Sequence, residues 1–322
     1  MPSQETFDAL AQFAVRTFFG SNHVSTVLHL VAAKENNPEL VAMFLNEGID
    51  VNSQNSDGST ALHAAANQGY LEVCQELVSA GANYTIIDNY GNTALHMATK
   101  HQYYTPLRNL EVVKFLASLP NAPLNELDCN GGTPLHNVLM YNNEEVAAVL
   151  LQAGADPNAH NMNSDPAFFS CLSHKGRNCV KSALHYGADV NAVGRGEFTA
   201  LHAAAAHDVP TIINILLDAG SNPRSLNGYK QMPIHLAAQR QSKKAIRQLL
   251  IFDSTLATAL DAEGNTPLHY AAKNWLGDSI LRLLVEKYNV DVNPRNNAGQ
   301  TPFTVATHEF TKNYLKSVGG VK

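Results

Sequence analysis

Residues 133–158 read TPLHNVLMYNNEEVAAVLLQAGADPN, and the fold follows from this stretch. Thr133 is placed to cap a helix by accepting a backbone N–H, and Pro134 gives up a donor that the first turn would leave orphaned anyway. Leu135 opens a short apolar helix. The spacing of Val146, Val149 and Leu150 marks a second helix, and Gly154 supplies the left-handed residue that stops it. A pair of helices this short cannot bury its own apolar face, so the stretch implies neighbours of the same kind.

The neighbours are present. Thr-X-Leu-His begins at Thr26, Thr60, Thr93, Thr133, Thr199 and Thr266, with variants at Met232 (MPIH) and Thr301 (TPFT) and a degraded copy at Pro166. Successive starts lie 34, 33, 40, 33, 33, 33, 34 and 35 residues apart. The second half recurs as well, as EGIDVN at 47–52, AGADPN at 153–158, YGADVN at 186–191 and AGSNP at 219–223. Small residues after the motif, such as Ala64 to Ala66 and Ala203 to Ala205, allow close helix packing. Stretches such as Asp261 to Asn265 carry turn chemistry and are expected to form protruding hairpin-like loops.

Motif, period and second-half signature together resemble the ankyrin repeat family, whose unit has 33 residues and the signature T-P-L-H-x-A. The resemblance implies an all-α fold, a solenoid of stacked helix-turn-helix units with hairpin loops. It covers residues 26–316 in nine repeats starting near 26, 60, 93, 133, 166, 199, 232, 266 and 301. Residues 1–25 are expected to form an N-terminal capping helix, built from Thr6 as cap, Phe7, Leu10, Ala11, Ala14 and Phe18 on one stripe, and Gly20 as stop; 317–322 are a C-terminal tail. His29, His63, His96, His136, His202, His235 and His269 all occupy one repeat position, where the family resemblance implies a brace between helix start and neighbouring loops. Thr304 replaces this histidine in the last repeat.

Three departures stand out. The third repeat carries an insertion at His101 to Arg108, either a binding knob with Tyr103 and Tyr104 at its centre or a loop packed on itself. The fifth has lost its Thr and His, which reads as drift at one repeat or as a hinge. The seventh lacks its glycine stop and ends LLIFDSTLATALDAEGN, which adds a helical turn.

Composition bounds the function. The 45% of hydrophobic residues supports a core, and no apolar run reaches the 18 or more residues of a membrane helix. Four irregularly spaced cysteines suggest a reducing compartment, hence a cytoplasmic location, with host cytosol or nucleus as the alternative for a translocated protein. Residues 1–161 hold 5 Lys/Arg against 16 Asp/Glu, and 162–322 hold 17 against 12, so the net charge of −6 is strongly polarised. No Gly-x-Gly-x-x-Gly, Walker loop, His-Glu-x-x-His or Gly-x-Ser-x-Gly is present. The suggestive chemical cluster is in the fifth repeat, with Cys171 and His174 three apart on one helix and Cys179 and His185 on the next. Cys171 and Cys179 also align with core positions, where cysteine acts as a small hydrophobe, and no Cys-x-x-Cys spacing supports zinc.

The expected function is therefore a non-enzymatic protein-protein interaction module, an adaptor, scaffold or inhibitor, with a host-directed effector of an intracellular bacterium among its forms. The alternatives are an enzyme or metal-binding protein using Cys171 and His174, and a regulatory subunit of an enzyme complex. No cofactor, metal, small-molecule substrate or membrane span is expected, and the chain reads as a monomer. The family resemblance places a partner protein on the concave face, made by loop tips and first helices. The residues selected there are Tyr90, Met162, Arg195, Phe198, Tyr229, Arg240, Lys273 and Trp275, aromatic, long apolar or cationic side chains of the kind that anchor interfaces. The stretch Arg240 to Arg247 holds four cations. It reads as a solvated helix face or a phosphate contact, and a pI near 6.1 speaks against nucleic acid.

Overall fold

The computed structural model describes residues 27–100, 106–274 and 279–322. The expected capping helix over residues 6–20, Thr26, the Tyr103–Tyr104 pair and Trp275 lie outside the described residues. The chain forms two compact units, Met1–Met162 and Asn163–Lys322. Among the described residues it is all-helical, without a strand; one isolated bridge joins Val193 and Thr199.

The first unit alternates first and second helices: α1 (Val27–Lys34), α2 (Pro38–Asn46), α3 (Ala61–Gln68), α4 (Leu71–Ser79), α5 (Ala94–Lys100), α6 (Pro106–Ala117), α7 (Pro134–Met140) and α8 (Glu144–Ala153). Two layers result. In one, α3 packs between α1 and α5, and α5 packs on α7; in the other, α2, α4, α6 and α8 lean on one another in file. Leu62, Ala65, Val73, Leu77, Leu95, Val112, Leu135, Val146 and Leu150 fill the space between, all essentially inaccessible to solvent. Gly69 and Gly154, both in the left-handed region, end α3 and α8. The insertion departs from expectation: Pro106 opens α6, so residues 106–108 belong to a twelve-residue helix rather than to a loop. Proline at a first helical position has the right φ and loses no intrahelical bond.

The second unit continues the alternation. A 3-10 turn (Ala167–Cys171) stands before α9 (Arg177–His185), followed by α10 (Ala200–Ala206), α11 (Pro210–Asp218), α12 (Pro233–Gln239), α13 (Lys243–Phe252), α14 (Pro267–Lys273), α15 (Ser279–Arg282), α16 (Pro302–Val305) and α17 (Glu309–Ser317). Here α10, α12, α14 and α16 form one layer, while α9, α11 and α13 lie in the other. The fifth repeat makes only a 3-10 turn because Pro166 stands where other repeats have a capping threonine, and no histidine follows to complete the cap. Phe168 is nevertheless fully buried, edge-on to Phe169 at 4.9 Å. The missing glycine of the seventh repeat leaves a 3-10 turn at Ser254–Thr258, and α15 runs into a π-helical turn at Leu283–Lys287.

Candidate protein-binding site

The histidines come first, because they set the loops. In each standard repeat the threonine N–H donates to Nδ1 of the histidine three residues on, as Thr60 to His63 (3.1 Å), Thr93 to His96 (3.2 Å), Thr199 to His202 (3.2 Å) and Thr266 to His269 (3.1 Å). Nδ1 is an acceptor here, so the proton sits on Nε2, which donates to the carbonyl just before the next motif position. The acceptors are Asn92 O for His63 (2.9 Å), Gly132 O for His96 (3.1 Å), Gln231 O for His202 (2.9 Å) and Gln300 O for His269 (3.0 Å). Burial holds these imidazoles below their ordinary pKa, against the opposing pull of the carbonyl bond, and takes His202 down to about 4. They are neutral braces, committed on both ring nitrogens.

Each brace holds a loop closed by an Asx residue. Asp88 N donates to Asn92 O (2.9 Å), Gly91 N to Asp88 O (3.0 Å), and Asp88 Oδ1 accepts from the amides of Tyr90 and Asn92. The same turn forms at Asp128, Asn227, Asp261 and Asn296. Successive loops are tied at their tips: Asn89 N to Asp57 O (2.8 Å), Cys129 N to Tyr90 O (2.7 Å) and Met162 N to Asn130 O (3.3 Å) in the first unit, Gly228 N to Gly196 O (2.7 Å) and Asn297 N to Glu263 O (2.9 Å) in the second. Two loops can approach this closely only without a side chain at the contact. A Cβ on Gly131 would lie 2.5 Å from Met162 N, and one on Gly228 would lie 2.9 Å from Gly196 O.

This ladder presents the selected residues. Tyr90 and Met162 stand on loop tips of the first unit, 57% and 72% exposed, and Tyr229 on a tip of the second, 72% exposed. Arg195, Arg240 and Lys273 are exposed as well. Phe198 is half-buried: its ring meets His202 at 5.6 Å and Tyr229 at 6.2 Å, both edge-on, so the ladder joins Phe198 and Tyr229 into one aromatic step. Lys273 lies 5.7 Å above the ring of Tyr270.

A row that sequence reasoning missed runs beside them. Ile87, Leu127, Val193, Leu226 and Leu260 each immediately precede the residue that opens a loop turn, and each is about half exposed. Met140, exposed at the end of α7, shares the repeat position of Lys273. The signal was present in the sequence, since an aliphatic residue at a position bound for solvent recurs at the repeat period. The first unit thus offers an apolar face without exposed cations among these residues (Ile87, Tyr90, Leu127, Met140, Met162). The second offers an aromatic and cationic one (Arg195, Phe198, Leu226, Tyr229, Arg240, Lys273).

The fifth-repeat cluster does not assemble. His174 is not on a helix with Cys171: the 3-10 turn ends at Cys171, and His174 falls in the exposed turn that follows. Cys171 and Cys179 are buried, while His185 is exposed at the end of α9. The Cys171 thiol donates to Phe168 O at 3.0 Å, and burial pushes its pKa upward, away from the thiolate that a nucleophile or zinc ligand requires. Among the described residues no group of three or more His, Cys, Asp or Glu is arranged to hold a metal ion.

Known proteins share this architecture. A family model for ankyrin repeats matches residues 28–118, 106–194, 201–296 and 234–317. An E3 ubiquitin-protein ligase, KEG, of Arabidopsis thaliana is 26% identical over 285 residues, which cover 82% of this chain and 17% of that protein. The B-cell lymphoma 3 protein homolog of Mus musculus is 26% identical over 220 residues, 68% of this chain and 48% of that one. The chain therefore spans less than half the length of these relatives. The crystal structure of the ankyrin repeat domain of Bcl-3 superposes with a TM-score of 0.55 at 23% identity, covering 81% of this chain and 100% of that one.

Proposed function

Because the chain belongs to the ankyrin repeat family, whose fold is a protein-interaction module, we propose that it is an adaptor, scaffold or inhibitor that holds a partner protein against its loop tips and first helices. The observation that carries this is the division of labour within the repeat. The brace histidines and the Cys171 thiol are buried and committed, whereas large apolar, aromatic and cationic side chains stand exposed at recurring repeat positions. Such side chains cost solvation when free and supply most of the affinity when covered. Phe198 and Tyr229, flanked by Leu226 and Arg195, form the anchor in the second unit; Tyr90 and Met162 serve the first.

Affinity capture with the full chain tests this reading against matched variants. A partner retained by the wild type should be lost from Leu226→Asp/Tyr229→Ala and kept by Lys181→Glu, which lies on a second helix. Retention by every variant would overturn the loop-tip assignment. For the enzyme alternative, thiol-reactivity and bound-metal measurements decide: a reactive Cys171 or stoichiometric metal would favour it.

A further inference from the structure

The basic stretch of the seventh repeat leaves the loop face and enters a cleft of its own. Lys243 and Arg247, one turn apart on α13, line an open cleft of about 540 Å³ together with Ser279, Arg282, Leu283, Glu286 and Lys287 from the second helix of the next repeat. Among the described lining residues four cations face one carboxylate. That carboxylate is already held, since Glu286 Oε1 lies 3.3 Å from Arg282 Nη1 and accepts from the Tyr314 hydroxyl at 3.3 Å. Arg282 in turn lies 4.6 Å above the Tyr314 ring. Lys243 and Arg247 make no ion pair among the described residues, and Leu283 forms an apolar floor. One turn beyond Arg247 on the same helix stripe stands Ile251, 71% exposed, with Phe252 exposed beside it.

We propose that this cleft is a second docking site, which receives an acidic segment of a protein partner carrying a large apolar side chain beside its carboxylates. The charge of the cleft asks for an anion, and the apolar step at Ile251 and Phe252 asks for a hydrophobe within one helical turn of it. A nucleic acid offers base faces for stacking rather than an aliphatic side chain to cover Ile251. The chain's net charge of −6 disfavours a long polyanion or an anionic bilayer. A short peptide senses only charges within a Debye length of about 8 Å at physiological salt. The site lies in the second-helix layer and does not depend on what docks at the loop tips.

The test is fluorescence anisotropy of the full chain with a short labelled peptide of Glu and Asp bearing two Leu, at about 50 mM salt. Lys243→Glu/Arg247→Glu is expected to weaken binding by about tenfold or more, with a shallower salt dependence. Lys175→Glu/Lys181→Glu, which makes the same net-charge change at exposed positions elsewhere in the unit, is expected to leave the affinity within about threefold. Ile251→Ser should weaken the Leu-bearing peptide and spare its Leu-free version. Circular dichroism establishes that each variant is folded. The proposal is overturned by absence of binding or by equal loss in the two double variants. It is also overturned if phosphatidylserine vesicles or single-stranded DNA bind through Lys243 and Arg247 while the peptide does not.

Discussion

The two units are written in one grammar and spoken with different accents. The described residues of the first unit form regular helix pairs, and their charged second-helix positions are mostly acidic, with Glu39, Glu72, Glu76, Glu111, Glu144 and Glu145. Residues 163–322 tolerate a 3-10 turn in place of a first helix, a π-helical turn and a second-helix layer rich in Lys and Arg, including Lys243, Lys244, Arg247, Arg282, Lys312 and Lys316. What they share is buried, namely the histidine brace, the Asx turns and the aliphatic seam. The difference teaches that the repeat constrains what a neighbour must touch and leaves the rest to the partner.

Acid should break both units, because the brace is common to them. A histidine whose folded pKa is depressed contributes its full stability above the ordinary value, and loses it as pH falls toward the folded value. His202, lowered from 6.5 to about 4, by itself removes about 2 kcal/mol at pH 5. His29, His63, His96, His235 and His269 shift in the same direction, so urea unfolding at pH 5 should show several kcal/mol less stability than at pH 7.5 in both units. A chain whose stability is flat between those values would mean that the imidazoles are not held neutral.

Removing one brace is the next largest change. His202→Ala orphans the Thr199 amide and the Gln231 carbonyl and leaves a cavity, at a cost of about 3 kcal/mol. His63→Ala does the same to Thr60 and Asn92 in the first unit, and the two costs should agree within about 1 kcal/mol. A loss in one unit alone would show that the shared geometry conceals unequal energetics. His202→Ala should also flatten part of the acid dependence.

The helix pairs were legible in the sequence because their signals are local: a capping threonine, an apolar period and a stopping glycine each act within a turn or two. The loop row at Ile87, Leu127, Val193, Leu226 and Leu260 was legible only as a recurrence six residues before the motif position, because one aliphatic residue at a turn carries no local sign of which way it faces. The Phe198–Tyr229 pair was not legible, since it depends on two loops meeting at their tips. The separation of Cys171 from His174 turned on a missing cap, since an incomplete cap shortens a helix and rotates everything after it. Trp275, which takes the place of the usual glycine between the two helices of its repeat in the sequence, lies outside the described residues.

The loop ladder offers a finer comparison. Gly131→Ala places a Cβ 2.5 Å from Met162 N at a residue with φ of +68°, so it should cost about 2 kcal/mol and loosen the Met162 tip. Chemical denaturation reads the cost, and amide exchange at Met162 reads the loosening. An unchanged Met162 amide would mean that the tip bond contributes little to the order of the loop.

The smallest effect tests one of the tips that depart from glycine, which Ser164 and Glu197 do as well, at φ of +63° and +61°. In residues 227–231 the sequence Asn-Gly-Tyr-Lys-Gln suggests that the glycine takes the left-handed position; instead Lys230 does, at φ of +60°, while Gly228 serves the close approach to Gly196. The equivalent residue is Gly91, Gly131 or Gly264 in other loops, all with positive φ. At Lys230 the bond to the next loop shifts its acceptor by one residue and lengthens, with Ala262 N reaching Lys230 O at 3.4 Å. Lys230→Gly removes a backbone penalty of about 1 kcal/mol, offset in part by the greater freedom of glycine in the unfolded chain and by the weak ion pair to Glu197 at 3.9 Å. The expected net gain is about 0.5 kcal/mol, with stronger protection of the Ala262 amide as its bond shortens. If Lys230→Gly instead lowers stability, the lysine is retained for its contacts along the loop face. The strained backbone of that tip would then mark a position shaped by the partner rather than by the stack.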